Sequence, residues 1–331
     1  MSEQASAVDR NTRDGKRRAQ RRVDPLRPLP SPDSVWQRLV GGFVGITIGL
    51  FLFFFLIALN GLQILSLVIV PFSRRAFRRF NRQAADMYWS ICVWAAQVIW
   101  GTRPVMTGDS LPYQENALCM SNHQQMPDIT FLMFPAKEHG RLGDMKWVLK
   151  KVIKYVPGVG WGLAFLDCVF LERNWSSDEA AMKKTFAHLR DHDVPVWLMI
   201  FPEGTRVKPE KLKRARQYAR SIGQEPLDHL LWPRTKGFVA CVKGTAGHVK
   251  AVYDFTIGYE EGLPTLAQYV EGFVRRAHIH VRRFPVEDLP TDDQALADWL
   301  VARFRDKDRL LAHFYEKGRF PDSFDDLDRE S

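Results

Sequence analysis

The segment Ser121-Asn122-His123-Gln124-Gln125-Met126-Pro127-Asp128 directly follows a short apolar run, Ala117–Met120. A His and an Asp with four residues between them can meet if the intervening chain turns into the start of a helix. The carboxylate then holds one ring nitrogen, fixes the tautomer and leaves the other nitrogen as a base. The sequence has no G-x-S-x-G nucleophile elbow. A His–Asp pair without a nucleophile of its own suits deprotonation of a hydroxyl that belongs to the substrate. Taken alone, the spacing more often marks a surface His beside an Asp that caps a helix.

Two further segments end apolar, strand-like runs. Phe201-Pro202-Glu203-Gly204-Thr205-Arg206 closes the run Val194–Phe201. A strand end followed by Pro, Gly and Thr makes a tight turn whose backbone N–H groups can face an anion. Arg206 adds a planar cation that matches a phosphate. Phe170-Leu171-Glu172-Arg173 delivers a second Arg from another strand end.

The elements that must position these residues alternate. Ala117–Met120, Leu163–Leu171, Val194–Phe201, Val249–Tyr259 and His278–Phe284 read as short buried strands. Ser177–Asp191 and Pro209–Ile222 read as helices between them. Interleaved strands and helices predict an α/β domain with a buried sheet flanked by helices, over residues 102–320. Residues 321–331 read as a tail. Residues 1–35 are rich in Arg, Ser, Asp and Pro and lack apolar periodicity, so they read as a disordered basic arm.

Residues 36–101 read as a membrane-embedded helical region. No charged residue occurs from Leu39 to Phe72, which exceeds the roughly 20 residues that cross a bilayer as a helix. Basic residues flank this stretch on both sides, with Arg27 and Arg38 before it and Arg74, Arg75, Arg78, Arg79 and Arg82 after it. A re-entrant hairpin turning near Asn60-Gly61 puts both flanks on the cytoplasmic face, whereas a single tilted span does not. The stretch Met87–Trp100 fits either an interfacial or a core helix.

The 331 residues carry a net charge of +9, which favours anionic partners: nucleic acid, acidic head groups or a phosphorylated cofactor. No recognisable nucleic-acid-binding motif accompanies the basic arm, so nucleic acid is not expected as a partner. A membrane-tethered nucleic-acid-binding protein and a lipid hydrolase are the competing readings. Cys92, Cys119, Cys168 and Cys241 form no CxxC pair and read as structural thiols. His278 and His280 share one side of a strand without a third ligand nearby, so no metal site is expected. Lys146, Lys150, Lys151 and Lys154 fit either CoA phosphates, lipid head groups or a solvated helix face.

In order and separation, the three motifs resemble the glycerolipid acyltransferase family of the 1-acylglycerol-3-phosphate acyltransferase type. The family pattern is NHxxxxD, an apolar-apolar-acidic-Arg block, FPEGTR and an apolar strand. The resemblance is closest to the branch containing lysocardiolipin acyltransferase and its bacterial relatives. It is also carried by Val148–Gly158, Trp232–Phe238, Val252–Thr256 and His278–Phe284, and spans roughly residues 36 to 320. Gln124-Gln125-Met126-Pro127 stands where many relatives carry a Ser, and the fourth motif lacks the Pro-flanked form of the simplest bacterial members.

The resemblance implies acyl transfer from an acyl thioester, acyl-CoA or acyl carrier protein, to the hydroxyl of a lysophospholipid such as lysophosphatidic acid. His123 is then the base and Asp128 its orienter. Arg173 and Arg206 bind the acceptor phosphate, and Glu203, Gly204 and Thr205 shape that site, with Glu203 near the glycerol. The thioester brings its own activation, so no metal or cofactor is required. The expected setting is the cytoplasmic membrane, with the catalytic domain facing the cytoplasm among membrane lipids.

Overall fold

Alternation of apolar side chains sorts the central strands onto two faces. The computed structural model describes residues 26–172 and 174–330. Its strands are β1 (Arg103–Gly108), β2 (Ala117–Ser121), β3 (Met145–Lys150), β4 (Val169–Leu171), β5 (Trp197–Ile200), β6 (Ala251–Gly258) and β7 (Arg276–Pro285). They form one sheet in the order β1-β7-β6-β2-β5-β3-β4, in which β6 and β7 pair antiparallel and every other pair is parallel. Ala117, Cys119, Trp197, Met199, Tyr253 and Phe255 point to one core. Leu118, Met120, Leu198, Ile200 and Val252 point to the other. Burial on both faces matches the continuous apolar composition of these strands.

Helices cover both faces. The first core also takes in residues of α2 (Arg74–Trp94) and α3 (Asp128–Glu138). The second takes in residues of α5 (Trp175–Asp191), α7 (Thr235–Gly244) and α9 (Asp293–Lys317). Helices α4 (Val159–Ala164), α6 (Pro209–Ser221), α8 (Leu266–Val270) and α10 (Phe324–Glu330) also belong to the described fold. The run Leu163–Leu171 is not one strand: it joins the end of α4 to β4.

The first helix, α1 (Val35–Leu65), is the one described helix long and apolar enough to cross a membrane. It continues through Asn60-Gly61 without a turn, and the chain reverses in residues 66–73 instead. Asn60 is buried and donates to Gln63 Oε1 at 2.9 Å, so this polar pair sits inside the helix. Only a narrow stripe of α1 (Gly41, Gly45, Leu59, Asn60 and Gln63) is buried. Trp36, Phe43, Ile46, Phe51 and Phe54 are exposed, a surface suited to lipid rather than water. Within Met87–Trp100, Trp89 packs into the core while Trp94 is exposed, so that stretch serves both roles.

The domain limits also differ at both ends. Of the arm read over 1–35, residues 1–25 lie outside the described residues. Arg27–Leu29 belongs to the fold: Leu29 donates to Leu263 O at 2.9 Å and Leu263 donates to Arg27 O at 2.8 Å. Beyond residue 320, Leu327 of α10 is buried in the second core, so the tail is part of the domain.

The small residues of α1 permit its close approach. A Cβ on Gly45 would lie 2.8 Å from the Val270 carbonyl oxygen. Gly45→Val is therefore expected to push α1 off α8 and to destabilise the protein by about 1–3 kcal/mol. A lowered thermal midpoint in detergent checks this, with Gly49→Val, where a Cβ meets open space, as the control.

Candidate active site

Adjacent parallel strands bring the two main motifs together. Met120 of β2 pairs in register with Ile200 of β5, so the chain leaves both strands at the same edge of the sheet. This carboxyl edge is where open α/β sheets place ligands. β4 ends at Leu171 in a strand parallel to β3, and Arg173, which follows it, lies outside the described residues.

The loop after β2 is tied down residue by residue. Asn122 is fully buried; its amide donates to Ile257 O at 3.0 Å and accepts from Ile257 N at 2.8 Å, extending the β2–β6 pairing by one side chain. His123 Nδ1 lies 2.9 Å from Asp128 Oδ2. The same carboxylate oxygen accepts from the backbone N–H of Gln124 at 2.7 Å and of Gln125 at 2.9 Å. Asp128 Oδ1 accepts from the Tyr259 hydroxyl at 2.5 Å. Asp128 is 0% exposed and opens α3, where the N-terminal end of the helix also favours negative charge. With the carboxylate accepting from Nδ1–H, Nε2 is the nitrogen left to take a proton.

His123 is fixed at further points. Its backbone N–H donates to Glu203 Oε1 at 2.8 Å, and its carbonyl accepts from Val207 N at 2.9 Å. The ring stacks on Phe201 with centroids 4.1 Å apart and planes at 19°. Behind the loop, Gln124 donates to the Tyr315 hydroxyl of α9 at 2.7 Å.

Glu203 is 2% exposed. Its second oxygen accepts from Leu231 N at 3.0 Å, so each oxygen accepts one backbone N–H. Its part is to hold the His123 loop. Burial pushes its carboxyl up to about 8, against the two N–H groups that favour the ionised form. Gly204 has φ +67°, and a Cβ there would meet the Arg234 side chain at 2.9 Å. The positive φ is what favours glycine here, since the Arg234 side chain is flexible. Arg234 N–H donates to Pro202 O at 2.8 Å, so the Trp232–Phe238 stretch braces this turn.

His123, Gly204, Thr205 and Arg206 line one cavity of about 720 Å³. Its polar part also includes Lys150, Lys208 and Lys211, and Lys211 Nζ donates to Thr205 Oγ1. From His123 the walls turn apolar, through Met126, Ile129 and Trp147 to Tyr88 and Trp89 of α2 and Leu56 of α1. A cationic mouth, a base and an apolar interior suit a long amphiphile with an anionic head.

Sequence reasoning did not assign Tyr259, Asn122, Lys208 or Lys211. Asn122 lies within the first motif and Tyr259 closes the strand read as Val249–Tyr259, so each carried a positional signal. The two lysines follow the third motif directly.

The site and sheet define an acyltransferase, and comparison with known proteins agrees. The family model "Acyltransferase" matches residues 103–259, and "Acyltransferase C-terminus" matches residues 268–331. The chain is 33% identical over 290 residues to 1-acyl-sn-glycerol-3-phosphate acyltransferase 2 of Arabidopsis thaliana, covering 86% of this chain and 75% of the relative. It is 33% identical over 270 residues to 1-acyl-sn-glycerol-3-phosphate acyltransferase delta of Homo sapiens, covering 80% and 71%. The crystal structure of the 1-acyl-sn-glycerophosphate (LPA) acyltransferase PlsC from Thermotoga maritima shares the fold, with a TM-score of 0.50 at 16% identity over 82% of this chain and 95% of that one. This chain belongs to the 1-acyl-sn-glycerol-3-phosphate acyltransferase family and is an O-acyltransferase.

Two outcomes test the geometry. Tyr259→Phe keeps the ring but removes a hydrogen bond to a buried carboxylate; about 1.5–3 kcal/mol of stability should be lost in denaturant unfolding. For Glu203, the folded pKa lies above the ordinary 4.5. Folding therefore favours the protonated form, and this contribution falls as pH rises from about 4.5 through 8. Glu203→Gln should be destabilised at pH 5 by the loss of one N–H acceptor, by about 1–3 kcal/mol. It should also lack that downward slope, read as the difference between the two unfolding-versus-pH curves.

Proposed function

We propose that this protein transfers a fatty acyl group from an acyl thioester, acyl-CoA or acyl carrier protein, to the free hydroxyl of a lysophospholipid, with lysophosphatidic acid as the leading acceptor. The observation that carries the reading is the His123–Asp128 pair at the junction between a cationic mouth and an apolar cavity. The acceptor's phosphate sits against Arg206, with Lys208 and Lys211 beside it, and the sequence resemblance adds Arg173 to this set. The acyl chain lies in the apolar part, against α1 and α2.

In the reaction, His123 Nε2 takes the proton from the acceptor hydroxyl as its oxygen attacks the thioester carbonyl carbon. The C–O bond forms, the C–S bond breaks, and the imidazolium returns the proton to the departing thiolate. Asp128 stabilises the imidazolium through Nδ1–H and keeps the ring aligned. Holding the phosphate fixes the hydroxyl near the base, and positioning of this kind lowers a barrier by several kcal/mol. The apolar surface of α1 and the arginines at the start of α2 support placement at the cytoplasmic membrane, with the catalytic domain on the cytoplasmic side.

Purified protein in micelles should consume acyl-CoA only when a lysophospholipid is supplied. His123→Ala should lower kcat roughly 100- to 10,000-fold, and Arg206→Ala should raise the acceptor KM about 10- to 100-fold. A panel of lysolipids with one radiolabelled acyl-CoA, read by product mass, identifies the acceptor. Full turnover by His123→Ala would exclude the mechanism. Fatty acid release without an acceptor would indicate a hydrolase.

A further inference from the structure

A second cavity, of about 650 Å³, lies away from the His123 loop, between the start of α2, the start of β3 and the end of α5. Arg74, Arg75, Arg78, Arg79 and Arg82 of α2 line it, together with Lys146 of β3. The carboxylates at its edge, the exposed Asp193 apart, pair with neighbouring cations. Asp144 pairs with Arg82 at 2.5 Å and Arg141 at 3.1 Å, and Asp167 with Arg78 at 3.8 Å. Asp191 pairs with Arg190 at 3.3 Å, and Asp193 lies 3.8 Å from His248.

The remaining cations are in surplus. Among the described residues, Arg74, Arg75, Arg79 and Lys146 have no carboxylate within ion-pair distance. Lys146 is 5% exposed, and its Nζ donates to Leu166 O at 3.1 Å. A buried ammonium with one carbonyl acceptor is costly unless an anion answers it. Just before these arginines stand Leu67, Val68 and Phe72, all exposed, with Phe72 88% exposed. An apolar tip followed within one helical turn by cations is the arrangement that fits the boundary between acyl chains and phosphates.

We propose that this cavity binds the phosphate of an acidic membrane phospholipid, held by Lys146 from below and by Arg75 and Arg79 from the rim. This assignment rests on the membrane placement proposed above but not on the catalytic roles of His123 or Arg206. The site is distinct from the catalytic cavity, with Leu166 as a wall common to both. A free phosphate offers the same charge and acceptors but not the acyl chains that would lie against Phe72.

The test uses the full-length chain in neutral detergent micelles and reads ligand binding as a shift in thermal midpoint. The probes are short-chain phosphatidylglycerol, short-chain phosphatidylcholine and inorganic phosphate. Phosphatidylglycerol should bind most tightly. Its affinity should fall roughly 10- to 30-fold in Arg75→Gln/Arg79→Gln and fall similarly in Lys146→Met. The charge-matched Lys183→Gln/Lys184→Gln on α5 should bind as the wild type does. Acyl transfer in neutral micelles should be unchanged in Arg75→Gln/Arg79→Gln, which separates this site from the catalytic reading. Because Arg75 and Arg79 are exposed, their variant folds whether or not Lys146→Met does. Wild-type affinity in Arg75→Gln/Arg79→Gln would overturn the proposal. So would an equal loss in the α5 variant, which would indicate diffuse attraction. Inorganic phosphate binding as tightly as phosphatidylglycerol would overturn the lipid assignment.

Discussion

A carboxylate with no exposure to water has to be surrounded by donors, and Asp128 is surrounded by four: the His123 ring, the backbone of Gln124 and Gln125, and the Tyr259 hydroxyl. The desolvation cost of such an ion is several kcal/mol, so the loop that supplies these donors has little freedom to relax. The backbone donors and the phenol come from different constraints. The two N–H groups exist because residues 124–127 wrap around the start of α3. The phenol arrives because β6 lies beside β2 in the sheet. Burial and the Asp128 charge push the Tyr259 phenol well above its ordinary range, which keeps it a donor. The geometry of the His123 loop is in this sense a consequence of satisfying one buried carboxylate without water.

Glu203 completes the arrangement from the other side, and the two carboxylates divide the work. Asp128 addresses the ring of His123, whereas Glu203 addresses its backbone and that of Leu231. With Val207 N–H on the His123 carbonyl and Phe201 against the ring face, His123 is held along its backbone and across its side chain. Sites fixed this way keep a base within the narrow range of positions that proton transfer requires. The wall opposite this rigid corner is different in kind, made of side chains on α1 and α2 with no hydrogen bond to the loop.

The local part of this site was legible in the sequence because motifs are local. His123, Asp128, Gly204 and Arg206 stand where strand ends and turn chemistry place them, and the α/β class followed from the alternation of apolar runs. Tyr259 lies 131 positions from its partner, and only the sheet order brings the two together. The bracing part of Glu203 was not legible, because a sequence does not reveal that its two oxygens accept from His123 N and Leu231 N. Leu163–Leu171 misled because a short apolar run has no period that separates a buried strand from the end of a helix. Asn60-Gly61 looked like a turn because a hairpin there would put both basic flanks on one face. There a buried hydrogen bond to Gln63 and the face of α4, where Gly162 comes close to Asn60, favour a continuous helix instead.

α2 couples two environments that the sequence presents separately. Its first turns carry the arginines, and from Ala84 onward it lines the catalytic cavity. From Arg82 to Tyr88 the rise along a helix is about 9 Å, so the charged level and the apolar interior are a fixed distance apart. Arg82 and Asp86 anchor this helix to residues 143–144, through Asp144 and through the Gly143 N–H, which donates to Asp86 at 3.1 Å. The helix therefore cannot change its height relative to the sheet without breaking those bonds. On the membrane placement proposed above, the contact that sets the level of the arginines also sets the height of the cavity and of His123 relative to them.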